Sequence, residues 1–210
     1  EIMEQIFENI FLKKGWLAED TVSGLGSTIR ATNNLRQALT EMGEISICDI
    51  PCGDMNWMKE IYNGFRQYYG IDIVKPIIAQ NTLKYSNNKA KFIHGDICSF
   101  DFSSINADLI LVRDCLVYLS LEDIISALSN ICKSNIPNIA ITHFTGNRPF
   151  IDIKTGQWRP INFCIHPFNF NEPLRIINEG CLEGNGTFAD KSIGIWDRLQ
   201  IIKSLQNMQK

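Results

Sequence analysis

Five short apolar runs, at residues 45–50, 68–73, 91–94, 108–112 and 138–144, alternate with stretches whose apolar residues recur at helical spacing. Nothing else in the chain narrows its fold as much. Short runs with little polar alternation read as strands covered on both faces. Between them, Trp57, Met58, Ile61, Tyr62 and Phe65 predict one helix, and Pro76 suits the first turn of another. Ser120 and Asp123 form a capping box ahead of Ile124, Ile125, Leu128, Ile131 and Cys132. Such alternation implies right-handed crossovers and an α/β architecture, a mostly parallel sheet with helices on both faces. From Thr145 to Pro173 the period is lost. Two last apolar runs, 174–177 and 192–199, separated by Gly180, Gly184 and Gly186, read as an antiparallel terminal pair that brings the sheet to seven strands.

Ile2, Ile6, Phe7, Ile10 and Phe11 open the chain at helical spacing, with Gly15 as a stop, and this amphipathic helix is expected to cover something. Leu35, Ala38, Leu39 and Met42 predict a second helix that closes near Gly43. Residues 1–44 thus read as a helical cap on a domain of residues 45–210, the two forming one structural domain. A length of 210 residues with 45% hydrophobic and 20% charged residues fits a single core. The net charge of -3 argues against nucleic-acid binding driven by phosphate neutralisation. Seven cysteines without a Cys-x-x-Cys pair point to free thiols in the cytoplasm. The nearest metal-like spacings, Cys48 with Cys52 and Cys164 with His166, lack a second pair, so no metal is expected. No apolar run reaches the roughly 18 residues of a membrane span. Glu1, Glu4 and Glu8 stand where a signal peptide would be basic.

Asp49, Asp72 and Asp96 each fall at or just past a predicted strand end, and Pro51-Cys52-Gly53-Asp54 follows the first of them. Singly, such aspartates are ordinary turn or capping residues. Together they suit a nucleoside cofactor, which needs acceptors for ribose hydroxyls and an adenine amino group and a glycine that admits close backbone approach. A nicotinamide-dependent reductase is the less favoured alternative, because the first turn lacks Gly-x-Gly-x-x-Gly. Gly24-Leu25-Gly26 is a partial match with no preceding strand and Ile29 at the third glycine's place. That segment reads equally as a flexible loop or as one that closes over a cofactor.

The turn Asp49-Ile50-Pro51-Cys52-Gly53-Asp54-Met55 resembles the first motif of class I methyltransferases, with Asp72 as the second-strand acid and Gly95-Asp96-Ile97 as the adenine segment. Residues 107–119 resemble the fourth-strand motif. Together with Trp158-Arg159-Pro160-Ile161-Asn162, Pro167-Phe168-Asn169-Phe170 and Asp190-Lys191-Ser192, they extend the likeness, to a small bacterial-type family, over nearly the whole chain. Pro51 and Met55 depart from the family by replacing two glycines. The resemblance implies a Rossmann-like methyltransferase fold that binds S-adenosylmethionine. Gly53 would lie under the methionine part, Asp72 on the ribose and Asp96 on the adenine, with Asp49, Cys52, Asp54, Ile73, Ile97 and Arg113 completing the cofactor site.

The implied reaction is methyl transfer to a small-molecule or glycan-like acceptor. A catalytically silent cofactor-binding regulatory or scaffold domain is the alternative. Asp114 is the first candidate for a general base or acceptor holder, and His143 the second. Both have structural readings, Asp114 with Arg113 on nearby backbone and His143 as a satisfied edge histidine; His166 is a weaker candidate. Arg148, Trp158 and Arg159 lie in the unpatterned segment, where they either close over an acceptor, an arginine pairing with carboxylate or phosphate, or, for Trp158 and Phe168, form a satellite core.

Overall fold

A computed structural model describes residues 2–13 and 32–208. Gly15 and the segment from Ser23 to Ser27, with its partial glycine motif, lie outside the described residues. The seven strands are β1 (Ser46–Asp49), β2 (Gln67–Asp72), β3 (Ala90–His94), β4 (Leu109–Val112), β5 (Asn138–Phe144), β6 (Arg175–Asn178) and β7 (Lys191–Asp197). They form one sheet in the order β3-β2-β1-β4-β5-β7-β6. The first five are parallel, and the terminal pair is antiparallel. This is the α/β arrangement that the alternation of runs implies, and the Rossmann-like fold that the resemblance implies. Side chains along β4 show why the runs are apolar throughout: Leu109 and Leu111 pack with Ile47 and Tyr68 in one core, while Ile110 and Val112 pack with Cys48 and Ile71 in the other. With a period of two, a strand covered on both faces needs both sets.

Among the described residues, five α-helices cover the sheet: α1 (Ile2–Leu12), α2 (Asn33–Glu41), α3 (Lys75–Tyr85), α4 (Leu121–Ile131) and α5 (Arg198–Met208). Pro76 sits in the first turn of α3, and the Ser120 side chain accepts the Asp123 N–H at the start of α4, both as the sequence implies. The helix expected over Trp57–Phe65 is instead two 3-10 turns, Met58–Glu60 and Tyr62–Gly64. After one i→i−4 bond from Lys59 to Met55, its backbone bonds run i→i−3, from Glu60 to Trp57, from Ile61 to Met58 and from Gly64 to Ile61, and Asn63-Gly64 ends the second turn. The apolar spacing is still used, since Trp57, Met58, Tyr62 and Phe65 are buried. At the other end, the run 192–199 is not all strand. Asp197 Oδ1 accepts the Leu199 N–H at 2.7 Å and Gln200 Oε1 accepts the Asp197 N–H at 3.0 Å, a reciprocal cap that turns the chain into α5.

β1 lies between β2 and β4, so the chain runs outward from β1 to β3 and then crosses back to β4. In a parallel sheet this reversal leaves a crevice at the carboxyl ends of the strands. Asp49, Asp72 and the turn after β3 all emerge there.

Candidate active site

A cleft enclosing about 1190 Å³, counting the part open to solvent, fills this crevice. Its β2–β3 side is lined by Asp72, Ile73, Gly95, Asp96 and Ile97, its floor by Asp49, Cys52, Gly53 and Asp54, and its β4 side by Arg113, Asp114, Cys115 and Tyr118. Every residue assigned from sequence to the cofactor therefore faces one cavity. Met3, Phe7 and Phe11 of α1 also line it, so the opening helix covers the cleft. Glu4 ties that helix down through Lys75 at 2.7 Å and His94 at 3.3 Å.

The floor is built around Gly53, whose φ of 57° lies in the left-handed region. Among the described residues, no atom beyond its chain neighbours comes within 4 Å of where its Cβ would stand, which leaves a bare patch of backbone open to a ligand. Asp72 Oδ2 accepts the Gly53 N–H at 3.0 Å and Oδ1 accepts the Val74 N–H at 2.9 Å. From α3, the buried Asn81 donates to the Gly53 carbonyl at 2.7 Å. Met55 has φ at 62°, in the left-handed region that glycine adopts most readily, with its side chain buried against the Tyr68 hydroxyl. Burial of the side chain offsets the left-handed strain, about 1–2 kcal/mol for a residue with a Cβ.

Burial dominates the acids of the floor. Asp49, 2% exposed, is pushed up to about 7 by desolvation, against which the Tyr68 hydroxyl, donating at 2.7 Å, and the Arg113 charge pull down. Asp72 is pushed up to about 6, again mainly by desolvation, while its backbone donors oppose the shift. Asp96 accepts the Cys98 N–H at 2.8 Å, which closes the turn after β3.

On the β4 side, Asp114 has φ at 51°, and its N–H donates to Thr142 Oγ1 at 2.7 Å. Its carboxylate is held by Lys191 Nζ at 2.9 Å and by Arg113 at 3.2 Å. Arg113 in turn donates to Glu179 at 2.6 Å and lies over the Trp57 ring. Burial alone would raise the Asp114 pKa, but Lys191 and Arg113 outweigh it and hold it below the usual carboxylate range. Glu179 and Lys191 were not among the residues that sequence reasoning assigned roles. In the sequence each stands just outside an apolar terminal run, Glu179 past 174–177 and Lys191 ahead of 192–199, and only Lys191 belongs to a motif, Asp190-Lys191-Ser192.

Four residues expected at the acceptor end are engaged elsewhere. His143 is buried and lies off the cavity wall: its Nδ1 accepts the Phe163 N–H at 3.3 Å, its ring packs edge-on to Trp196, and desolvation pushes its pKa down to about 4. Arg148 makes a two-pronged pair with Asp190 at 2.5 and 2.8 Å. Trp158 packs against Phe144 and Phe188. Arg159 donates to the carbonyls of Leu116, Val117 and Leu119, and so braces the cavity wall from behind. Phe168 joins Phe163, Phe170 and Trp196 in the main core beside Ile110 and Ile141, so these aromatics extend that core and do not form a satellite of it.

Residues 47–137 match the family model described as a methyltransferase domain. Over that stretch the chain is similar to methyltransferase domains. The sequence matches no curated protein. Among solved structures, the chain is similar to the 1,6-didemethyltoxoflavin-N1-methyltransferase of Burkholderia thailandensis, with a TM-score of 0.64 at 10% identity over 92% of this chain and 87% of the other. It is also similar to phosphoethanolamine N-methyltransferase 1 of Haemonchus contortus, with a TM-score of 0.63 at 11% identity over 100% of this chain and 53% of that one. The N-methyltransferase NodS of Bradyrhizobium japonicum gives 0.58 at 16% identity, over 80% and 93%. These likenesses establish the fold.

Proposed function

We propose that the protein is an enzyme that transfers a methyl group from S-adenosylmethionine to a small molecule. One observation carries the reading: carboxylates from three successive strand ends, Asp49, Asp72 and Asp96, surround the bare backbone of Gly53 in a single cavity. Two of the similar structures hold S-adenosylhomocysteine together with a small-molecule acceptor, phosphoethanolamine in one and 1,6-didemethyltoxoflavin in the other. When bound, the cofactor supplies a methyl group activated on a sulfonium.

The residues fit that group. Asp72 keeps a lone pair on each oxygen for ribose hydroxyls after serving Gly53 and Val74, and Ile73 and Ile97 offer apolar surface beside Asp96 for an adenine. Asp49 has its carboxylate in a desolvated place where a ligand ammonium would stabilise the ionised form. The β4 side then faces the acceptor. Phe7, Phe11 and Met3 exclude water above it, and Asp114 fixes a polar group of the acceptor so that the reacting atom stays in line. Because Arg148 and Arg159 are paired with groups of the protein itself, acceptors are held at the Asp114 carboxylate rather than by either arginine, which suits amino- or hydroxyl-bearing molecules, sugars included. Seven free cysteines support a cytoplasmic setting, and among the described residues no helix is long and apolar enough to cross a membrane.

Calorimetric titration with S-adenosylmethionine, S-adenosylhomocysteine and NADH tests the reading, followed by an acceptor screen with labelled methyl groups. Binding of the first two and transfer to an amine or alcohol is the expected result. Binding of NADH alone would overturn it. Cofactor binding with no transfer across the screen would leave the silent scaffold.

A further inference from the structure

Lys191 opens β7, at the antiparallel end of the sheet, yet its ammonium is buried beside a residue of the β4 turn. It sits 2.9 Å from Asp114 and 3.4 Å from Glu179, while Arg113 bridges the same two acids from the other side. Two cations and two anions therefore close a neutral ring, of which Arg113 and Asp114 line the cleft. Lys191 and Glu179, at 2% and 4% exposed, do not. A buried lysine is costly unless paired, and breaking such a pair leaves an uncompensated charge, so a structural reason alone would favour apolar side chains here. The ring instead delivers one carboxylate to the cavity wall.

We infer that Lys191 is a positioning residue: it keeps Asp114 ionised and pinned at the acceptor side of the cleft, where that carboxylate receives a hydrogen bond from an amino or hydroxyl group of the methyl acceptor. The inference rests on the methyltransferase reading above. The groups that bear on Asp114 are Arg113 beside it, Lys191 of β7, Glu179 after β6, Glu183 in the turn that follows, Cys115 on its own turn, and Thr142 of β5, which takes its N–H. Burial pushes Glu183 and Cys115 up, toward their neutral forms. Lys191 and Arg113 are thus the cations that hold Asp114 down, and Lys191 touches both of its oxygens.

Carbon-13 NMR titration of the Asp114 carboxyl, in the whole chain, measures this without any acceptor. Lys191→Met should move the midpoint up by about 1–3 pH units, the effect of one close opposite charge, and Lys191→Arg should keep it low. Reciprocally, Asp114→Asn should lower the ionisation of Lys191, read from its Cε shift in the otherwise intact protein; this arm decides the matter if Lys191→Met does not fold. Calorimetry should find S-adenosylmethionine bound equally by the wild type and Lys191→Met. With an acceptor from the labelled-methyl screen, kcat/KM should fall about 100-fold in Lys191→Met, with a new acid limb in its pH profile. Unchanged midpoints, or a Lys191→Met enzyme with the wild-type pH profile, would overturn the inference. Failure of the wild type to bind S-adenosylmethionine would instead overturn the functional reading, and the titrations would still report the ion pair.

Discussion

Asp72 Oδ2 accepts the backbone N–H of Gly53 at 3.0 Å, so the acid that ends β2 also holds the glycine turn that follows β1. Removing it has two consequences. Asp72→Ala deletes the acceptor for the ribose and frees the turn, whereas Asp72→Asn keeps one oxygen and the side-chain shape. Cofactor affinity measured by calorimetry should fall by about 2 kcal/mol or more in the alanine variant and by less in the asparagine variant. Normal binding by a folded Asp72→Ala protein would remove Asp72 from the site.

Gly53 and Gly43 both have positive φ, at 57° and 79°, and both have open space where a Cβ would stand. Only Gly53 lines the cleft. Alanine at either position should cost about 1 kcal/mol of stability from left-handed strain, read by denaturant unfolding. Gly53→Val should in addition abolish S-adenosylmethionine binding, while Gly43→Ala should bind normally. Equal binding by both variants would show that the ligand does not approach the turn.

The raised pKa values of Asp49 and Asp72, about 7 and about 6 against an ordinary 3.8, make the free site a source of instability. A group whose folded pKa is raised holds its proton more tightly when folded, so its stabilising contribution is complete below the unfolded value and is lost as pH rises through the folded one. The stability of Asp49→Asn relative to wild type, read from thermal unfolding, should therefore climb from about pH 4 to pH 7 and then level, with a gain of up to about 4 kcal/mol at the plateau. The same variant should bind S-adenosylmethionine more weakly. A melting difference that does not vary with pH would mean that Asp49 is not desolvated in the free protein.

His143 illustrates what the sequence withholds. Its position at the end of β5 is legible from the apolar run before it, but its partner is Phe163, which arrives through a segment without period. Arg148 and Arg159 look equally free in one dimension, and only folding brings Asp190 and the carbonyls of residues 116–119 to them. The three strand-end aspartates and Gly53 were legible because local strand pattern and turn chemistry alone place them together. Lys191 and Glu179 reach Asp114 across the terminal pair, and no local rule records that meeting. The cap of α5 was within reach, since Asp197 and Gln200 have capping-box spacing; the apolar run through Leu199 masked it.

If His143 is structural, His143→Phe should leave cofactor affinity unchanged and methyl transfer within a few-fold of wild type. It should also lower stability by about 1–3 kcal/mol in thermal unfolding, because the Phe163 N–H loses its acceptor in a buried place. A loss of transfer with normal stability and cofactor binding would restore His143 to the chemistry.

Asp114→Asn separates the two roles open to a carboxylate at the acceptor side. The side chain lines the cleft, and its two cationic neighbours keep its pKa below the ordinary range, so it is ionised throughout the neutral region and is a weak proton acceptor. A general base works best with a pKa near the operating pH and contributes about 100- to 10,000-fold, and its loss removes an ionisation from the pH–rate profile. A pinned hydrogen-bond acceptor contributes through alignment and leaves the profile's shape alone. Asp114→Asn should accordingly slow transfer by about 10- to 100-fold, with S-adenosylmethionine affinity intact and with the wild-type profile shape between about pH 6 and 9. A depressed pKa also carries stability that is present above the unfolded value and lost as pH falls through the folded one, so the variant should melt below wild type at neutral pH and approach it in acid. A wild-type ionisation near pH 7 that vanishes in Asp114→Asn would show Asp114 to be the base. Full activity across the profile would exclude both roles and leave acceptor alignment to the turn that carries Cys115 and Tyr118.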